Sequence, residues 1–136
     1  DPRGGFLVTK ASHSGVGEQR PATHPFLGKL VVLIDGGSFS TTADVAAQLR
    51  SLGRATFVGE ETAGTYEGNT SGLTALIVLP SSGLRLKIMM YGYWNAVKPP
   101  AKAGRGILPD HIVARRVVDL LGGRDLQLER AITLAR

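Results

Sequence analysis

The sequence predicts an α/β fold with a mostly parallel sheet, and three consecutive segments indicate it. Residues 30–34 form a continuous apolar, β-branched run, which is typical of a strand buried on both faces. Residues 43–49 carry apolar side chains at helical spacing, and Gly53 is placed to end that helix. Residues 55–59 form a second apolar run. A strand, a helix and a strand in this order predict a right-handed crossover onto a parallel sheet.

The connection between the first strand and the helix carries the candidate chemistry. A Gly-Gly pair at residues 36–37 predicts a tight turn, and Ser38 and Ser40 follow it directly. Thr41-x-x-Asp44 fits a capping box at the helix start. A serine hydroxyl here would lie beside free amide N–H groups and the positive end of a helix, which stabilise an oxyanion in acyl transfer. From the residues alone, either serine is a candidate nucleophile or simply the N-cap of an ordinary turn.

A β-hairpin is predicted downstream of this unit. Residues 73–79 and 84–90 are apolar or alternating runs joined by Pro-Ser-Ser-Gly, a typical hairpin connection. Met89, Met90 and Trp94 are interpreted most simply as core or sheet-face packing. The Pro-rich segment 94–105 predicts a loop.

Short elements are predicted at both ends of the chain. Residues 6–9 indicate a strand near the beginning, and residues 112–113 indicate a last short strand. Helical spacing at 117–121 and 125–134, interrupted by two glycines, predicts two C-terminal helices, the second with Asp125 as its N-cap.

The composition of the chain argues against several classes of function. The chain has 136 residues, enough for one domain, and a net charge of +5. Its basic residues are scattered singly and do not interleave with aromatics, so a solvated basic face is favoured over a nucleic-acid site. Cysteine is absent, which excludes disulfides and thiolate metal sites. The sequence has no apolar run of about eighteen residues, so no membrane span is predicted. The first residues resemble the middle of a protein, and we expect a piece of a larger domain.

Three blocks of the sequence resemble one enzyme family. Residues 33–44, residues 53–64 and the Gly-Ile-Leu-Pro-Asp segment 106–110 are similar, in order and spacing, to the C-terminal processing (tail-specific) serine peptidases. The resemblance implies a ClpP/crotonase-like fold of repeated ββα units with a mostly parallel central sheet. It further implies that residues 1–136 are the C-terminal portion of a peptidase catalytic domain whose upstream part is missing. A polypeptide substrate, no cofactor, no metal and an extracytoplasmic location are implied with it.

The resemblance also implies roles for individual residues. The nucleophile of the family corresponds to Ser40, and the backbone N–H of Thr41 corresponds to a donor of the oxyanion hole. The family's Ser/Lys members carry a lysine where this chain has Thr65, and a threonine hydroxyl cannot act as a general base near neutral pH. The chain therefore resembles the branch of tricorn protease and interphotoreceptor retinoid-binding protein. The base is expected from an upstream segment, and His13 and His24 are weaker candidates for it.

The loop after the second strand is a candidate substrate contact. It lies where α/β proteins place ligands, and its glycines and hydroxyl residues suit close approach by an extended peptide, with Gly64 and Thr65 as candidate contacts. Glu61 or Glu67 could orient a catalytic group or remain solvated loop charges.

Three functions stay open at this point. The first is a serine endopeptidase domain that needs a base from elsewhere, so the isolated chain is expected to have little or no peptidase activity. The second is a non-catalytic carrier of an apolar ligand or peptide on the same fold. The third is a crotonase-type acyl-CoA site with backbone oxyanion donors and no serine nucleophile.

Overall fold

The computed structural model describes residues 16–70 and 72–136, and the predicted strand at 6–9 lies outside them. The strands are β1 Val31–Ile34, β2 Thr56–Gly59, β3 Gly68–Asn69, β4 Thr74–Val78, β5 Arg85–Met89, β6 Tyr93–Trp94 and β7 His111–Ile112, and the helices are α1 Thr41–Ser51, α2 Val117–Leu121 and α3 Leu126–Ala135. None of these helices has the length and apolar character needed to cross a membrane.

The predicted α/β fold with a parallel sheet is confirmed. The sheet has the order β1-β2-β7, and all of its strands run parallel. Strand β1 pairs with β2 from Val31 opposite Thr56 to Ile34 opposite Gly59. Strand β7 joins the other edge of β2, where His111 lies opposite Val58.

Helix α1 covers one face of this sheet through very small side chains. Ala43, Ala46 and Ala47 are almost completely buried, and they belong to one core cluster with Ile34 and Phe57. Because Ala43 belongs to the first turn of α1 and Ile34 ends β1, their packing in one core cluster holds the start of the helix near the end of that strand.

The predicted end of α1 is confirmed. Gly53 has φ = 62° and follows the C-cap Leu52. Its N–H donates to the Arg50 carbonyl, and the Arg54 N–H donates to the Leu49 carbonyl. This pair of bonds is a Schellman motif, which requires a left-handed residue that glycine supplies without strain.

The predicted capping box is wrong. The helix begins at Thr41 with Ser40 as its N-cap, and no side chain caps the first turn. In a capping box Thr41 would be the N-cap rather than the first residue of the helix. Its backbone would be extended, and its hydroxyl would accept from the N–H of Asp44. That N–H instead donates to the Ser40 carbonyl at 3.0 Å, as an ordinary helical bond.

Two predictions of burial are wrong as well. Strand β1 is not buried on both faces, because Leu33 is 37% exposed. The β4–β5 hairpin is confirmed, with Thr74 opposite Met89, but its strands pair only with each other among the described residues. Met89, Met90 and Trp94 are accordingly exposed rather than packed in the core.

The C-terminal helices are confirmed, and α3 packs beside β1 and β2. The side chain of Asp125 accepts a hydrogen bond from the Leu128 N–H at 3.0 Å, as predicted for an N-cap. Gln127 is buried, and its amide donates to the Val113 carbonyl at 2.8 Å. The Gln127 bond ties α3 to the residue that follows β7.

Candidate active site

The two serines in the turn between β1 and α1 differ in burial and in hydrogen bonding. Ser38 is only 8% exposed, and its hydroxyl accepts from the Asp35 N–H at 3.2 Å and contacts the Asp35 carboxylate at 3.4 Å. Asp35 also accepts from the Gly37 N–H and pairs with Arg115. The Ser38 hydroxyl is therefore used inside the turn. Within the part of the chain that the structure describes, the partly exposed Ser40 hydroxyl makes no hydrogen bond.

The backbone at Ser40 is strained. Its φ of 54° and ψ of −134° make it the one non-glycine residue with positive φ among the described residues. Such a conformation costs a serine about 1–3 kcal/mol and persists only where surrounding contacts hold it. In the α/β-hydrolases, a strained serine on a sharp strand-to-helix turn exposes its hydroxyl above the sheet.

The N–H of Thr41 lies at the start of α1. The amides of a first helical turn have no carbonyl partner within the helix, and they carry the positive end of the helix dipole. Because Ser40 does not cap this turn with its side chain, these donors stay available beside the Ser40 hydroxyl. A hydroxyl next to preorganised N–H groups is the arrangement that acyl transfer needs, because the hydroxyl can attack a carbonyl and the N–H groups can stabilise the oxyanion that forms.

The loop at Gly64 packs directly against this turn. The Gly64 N–H donates to the Ser38 carbonyl at 3.1 Å, and its own carbonyl accepts from the Thr62 hydroxyl at 2.7 Å. A Cβ atom at position 64 would lie 2.4 Å from the Cβ of Ala43 and 3.0 Å from the Cα of Phe39. Only a glycine fits there without displacing α1 or the serine turn.

An open groove of about 690 Å³ runs past these residues. It is lined by Phe39, Ser40, Ala63, Gly64, Thr65, Glu67, Gly68, Asn69, Thr70, Gly92, Tyr93, Trp94 and Gly104. The structure thus brings three of the predicted site residues, Ser40, Gly64 and Thr65, to one surface. Thr41, the fourth predicted site residue, is not among the residues that line the groove. A separate cavity beside α2 and α3 has only about 10 Å³, room for roughly one water molecule.

Sequence reasoning missed a polar cluster at one wall of the groove. The carboxylate of Asp44 accepts from the Asn69 amide at 2.9 and 3.1 Å, from the Tyr93 hydroxyl at 2.8 Å and from the Asn95 amide at 3.1 Å. The Asn95 amide also donates to the Tyr66 carbonyl. The donors lie 25, 49 and 51 residues from Asp44, so local patterns carry no signal for the cluster.

No general base contacts Ser40 among residues 16–70 and 72–136. His24 is exposed and does not line the groove, and His13 lies outside the described residues. The hydroxyl of Thr65 donates to the Gly68 carbonyl within its own loop. The described residues likewise contain no group of acidic or histidine side chains that could hold a metal ion.

The two candidate acidic residues have structural partners. The Arg105 guanidinium donates to the Glu61 carboxylate and holds the pKa of Glu61 below its ordinary value. Glu61 also accepts from the Gly106 N–H at 3.0 Å. Glu67 lines the groove, and its carboxylate accepts from the Gly104 N–H at 2.7 Å.

The Gly-Ile-Leu-Pro-Asp segment supports the site from outside the groove. A Cβ at Gly106 would lie 2.1 Å from the Thr62 carbonyl oxygen, and Ile107 is buried in the core. Asp110 accepts from the buried Phe57 N–H at 2.7 Å and pairs with Arg50 at 2.6 Å. These contacts connect the Gly64 loop, β2 and α1, the three parts of the chain that surround the Ser40 turn.

The comparison with protein families agrees with this architecture. The profile of peptidase family S41 matches residues 4–113, which is most of the chain. The chain therefore belongs to peptidase family S41, as its three sequence blocks predicted. Membership supports a serine-peptidase type of function, that of a hydrolase acting on polypeptides. A comparison with curated protein sequences gave no match.

Proposed function

We propose that this chain is the nucleophile-bearing portion of a serine endopeptidase domain of the C-terminal processing type, with Ser40 as the nucleophile. The observation that carries the proposal is the strained, partly exposed Ser40 in a turn whose other serine is buried and hydrogen-bonded. A main chain held in a costly conformation, with its hydroxyl left out of the local hydrogen bonding, is typical of a catalytic position.

The proposed chemistry is acyl transfer. The Ser40 Oγ attacks the scissile carbonyl carbon while a base takes its proton, and the Thr41 N–H donates to the resulting oxyanion. Collapse of the tetrahedral intermediate expels the amine, which takes the proton, and leaves an ester on Ser40. Water then attacks this ester and releases the carboxylic acid.

The groove is proposed as the substrate site, with Gly64 and Thr65 beside the reacting bond. The Gly64 loop lies against the serine turn, and a glycine-lined surface lets an extended peptide approach backbone to backbone. The general base is proposed to come from a segment outside the described residues, as in the tricorn-like branch. On this view the chain represents the C-terminal portion of a catalytic domain with a ClpP/crotonase-like fold.

A fluorophosphonate probe applied to the full-length protein that carries this chain tests the proposal. We expect labelling of the wild type and its loss in Ser40→Ala. Ser38→Ala is the matched control, because it removes the neighbouring hydroxyl that is already bound to Asp35. Undiminished labelling of a folded Ser40→Ala variant would refute the assignment.

A carrier function is the second candidate. Phe39 and Trp94 are 63% and 64% exposed at the groove, and no base contacts Ser40 among the described residues. A wild-type protein that the probe does not label, but that binds an apolar fluorescent dye in competition with peptides, would favour the carrier over the enzyme.

A further inference from the structure

The wall of the groove beyond Gly64 is a very short β-ribbon. Strands β3 and β6 contain two residues each, with Gly68 opposite Trp94 and Asn69 opposite Tyr93. A ribbon of this length is not stable alone and takes its position from whatever anchors it. Three of its four residues, Gly68, Asn69 and Tyr93, make the close approaches and hydrogen bonds that hold it in place.

The ribbon is closed internally by close approach. Gly68 has φ = 149°, and a Cβ there would lie 2.0 Å from the Tyr93 carbonyl oxygen. The N–H of Asn95 donates to the Glu67 carbonyl at 2.8 Å and extends the pairing by one step. These bonds hold the two strands together, but they do not fix the ribbon to the helix that follows Ser40.

That connection is made by Asp44. Its carboxylate lies in the first turn of α1, four residues after Ser40, and it accepts from side chains of Asn69, Tyr93 and Asn95. Hydrogen bonds to an ionised acceptor are roughly twice as strong as those between neutral groups. All three donors belong to the ribbon or to its last bonded residue, so one side chain ties both strands to α1.

Asp44 also fixes the orientation of Asn69. The Asn69 amide nitrogen donates to the Asp44 carboxylate and to the Tyr93 hydroxyl, which in turn donates to Asp44. A flipped amide would turn its oxygen toward the carboxylate and lose these bonds. The Asn69 Oδ1 is buried and has no partner among the described residues, so the Asp44 contact outweighs the penalty of that orphaned acceptor.

We infer that Asp44 is a positioning residue: its carboxylate clasps the β3–β6 ribbon to α1 and thereby fixes the groove wall relative to Ser40. Its kinetic consequence rests on the proposed function of this groove. Substrate contacts along the ribbon, which includes Trp94, depend on the clasp, whereas bond making at Ser40 depends on the turn and on the Thr41 N–H.

The first measurement needs no activity. Trp94 is the only tryptophan of the chain and lies in β6, so acrylamide quenching of its fluorescence reports the position of the ribbon. In Asp44→Asn, an amide faces the amide donors of the ribbon, and we expect the quenching of Trp94 to rise by roughly half or more. The reciprocal double variant Asp44→Asn/Asn69→Asp restores a carboxylate facing an amide, and quenching should return toward the wild-type value.

The second measurement is peptide cleavage by the full-length protein. We expect Asp44→Asn to raise KM roughly tenfold while kcat changes less than about threefold, and the reciprocal variant to restore KM. Asp125→Asn is the matched control, since it makes the same carboxylate-to-amide change at the N-cap of α3, outside the groove, and should leave KM and Trp94 quenching unchanged. Tyr93→Phe removes the hydroxyl that donates to Asp44 and accepts from Asn69, and it serves if Asp44→Asn fails to fold. It leaves the Asn69 and Asn95 bonds to Asp44 in place, so it should raise quenching and KM by a smaller factor.

The outcomes separate the two proposals. If Ser40→Ala abolishes cleavage but Asp44→Asn leaves KM and Trp94 quenching as in the wild type, the positioning role of Asp44 is wrong and the peptidase assignment stands. If Ser40→Ala retains cleavage, the nucleophile is wrong, and the quenching of Trp94 alone decides on the clasp. A fall in kcat with unchanged KM would also overturn the positioning role.

Discussion

Ser38 and Ser40 carry the same hydroxyl, yet the turn places them in opposite environments. One is buried and bonded to Asp35, while the other is partly exposed on a main chain with positive φ. Residue type alone therefore could not separate them, because both fit a βα turn. The resemblance to a peptidase family singled out Ser40, and that choice remains a proposal that rests on the strained, partly exposed main chain at this position.

At this scale the contact of Gly64 with the serine turn gives a sharp prediction. Gly64→Ala adds a Cβ that would lie 2.4 Å from the Cβ of Ala43, which the buried helix cannot avoid. We expect a loss of about 1–3 kcal/mol in the free energy of unfolding, and a fall in probe labelling of Ser40 because the turn is displaced. Urea unfolding and labelling rates measure the two effects.

Gly36→Ala is the control for this substitution. Gly36 lies in the same turn, but a Cβ there meets nothing within 4 Å and its φ is not positive. It should leave both measurements almost unchanged. Equal behaviour of the two alanine variants would contradict the steric account of Gly64.

At the scale of elements, α3 depends on Asp125, the N-cap residue that precedes it. Asp125 caps the helix by accepting from the Leu128 N–H, and the helix places the buried Gln127 and Ala131 against the rest of the fold. The family match ends at residue 113, so this helix lies beyond it while still packing beside β1 and β2.

We expect Asp125→Ala to lower the free energy of unfolding by about 1 kcal/mol, because a first-turn N–H loses its acceptor. Thermal or urea unfolding measures the loss. Asp125→Asn keeps a capping oxygen and should stay close to the wild type. If asparagine proved as damaging as alanine, the charge of Asp125 rather than its capping bond would be responsible.

At the scale of the whole molecule, Asp110 joins three parts of the chain. It pairs with Arg50 of α1, accepts from the Phe57 N–H of β2 and follows the segment that closes the Gly64 loop. Arg50 also lies over the Phe57 ring, 4.4 Å from its centroid. Burial opposes ionisation of Asp110, but the hydrogen bonds from Arg50 and Phe57 prevail and hold its pKa below the ordinary value of 3.8.

This direction fixes the sign of a pH effect. A carboxyl whose pKa is lower in the folded state contributes stability above its unfolded pKa, and that contribution is lost as the pH falls through the folded pKa. We expect Asp110→Asn to be less stable than the wild type by about 1 kcal/mol at neutral pH, a figure kept small by solvent screening of a half-exposed pair. The difference should shrink below about pH 4.

Urea unfolding of both proteins across this pH range measures the difference. Glu18→Gln, which removes an exposed charge, controls for the general effect of net charge. A difference between wild type and Asp110→Asn that stays constant down to about pH 2 would contradict the assignment to Asp110 ionisation.

The long elements were predictable because their signals are local. The apolar run of β1, the alanine-rich pattern of α1, the hairpin turn and the cap at Asp125 each depend on neighbours within a few residues. Strands β3 and β6 could not be predicted in the same way. They contain two residues each, and they exist only because segments about 25 residues apart meet.

The candidate site shows the same division. Its proposed nucleophile, Ser40, lies in a recognisable local turn, whereas Asp44 was interpreted as half of a capping box because Thr41 precedes it by three residues. The carboxylate instead satisfies distant amides and a phenol, and no local pattern reports that choice. Burial of Leu33 and Trp94 was mispredicted for a related reason: an apolar side chain does not say whether a neighbour covers it.

The positive φ at Ser40 lowers the stability of the fold at the residue proposed to react with substrate. A glycine there would adopt the same φ and ψ without strain, so the fold as a whole would gain from losing the hydroxyl. Screening for heat resistance alone should therefore favour variants that abandon the serine. Its presence on such an unfavourable backbone is what a function, rather than folding, would demand.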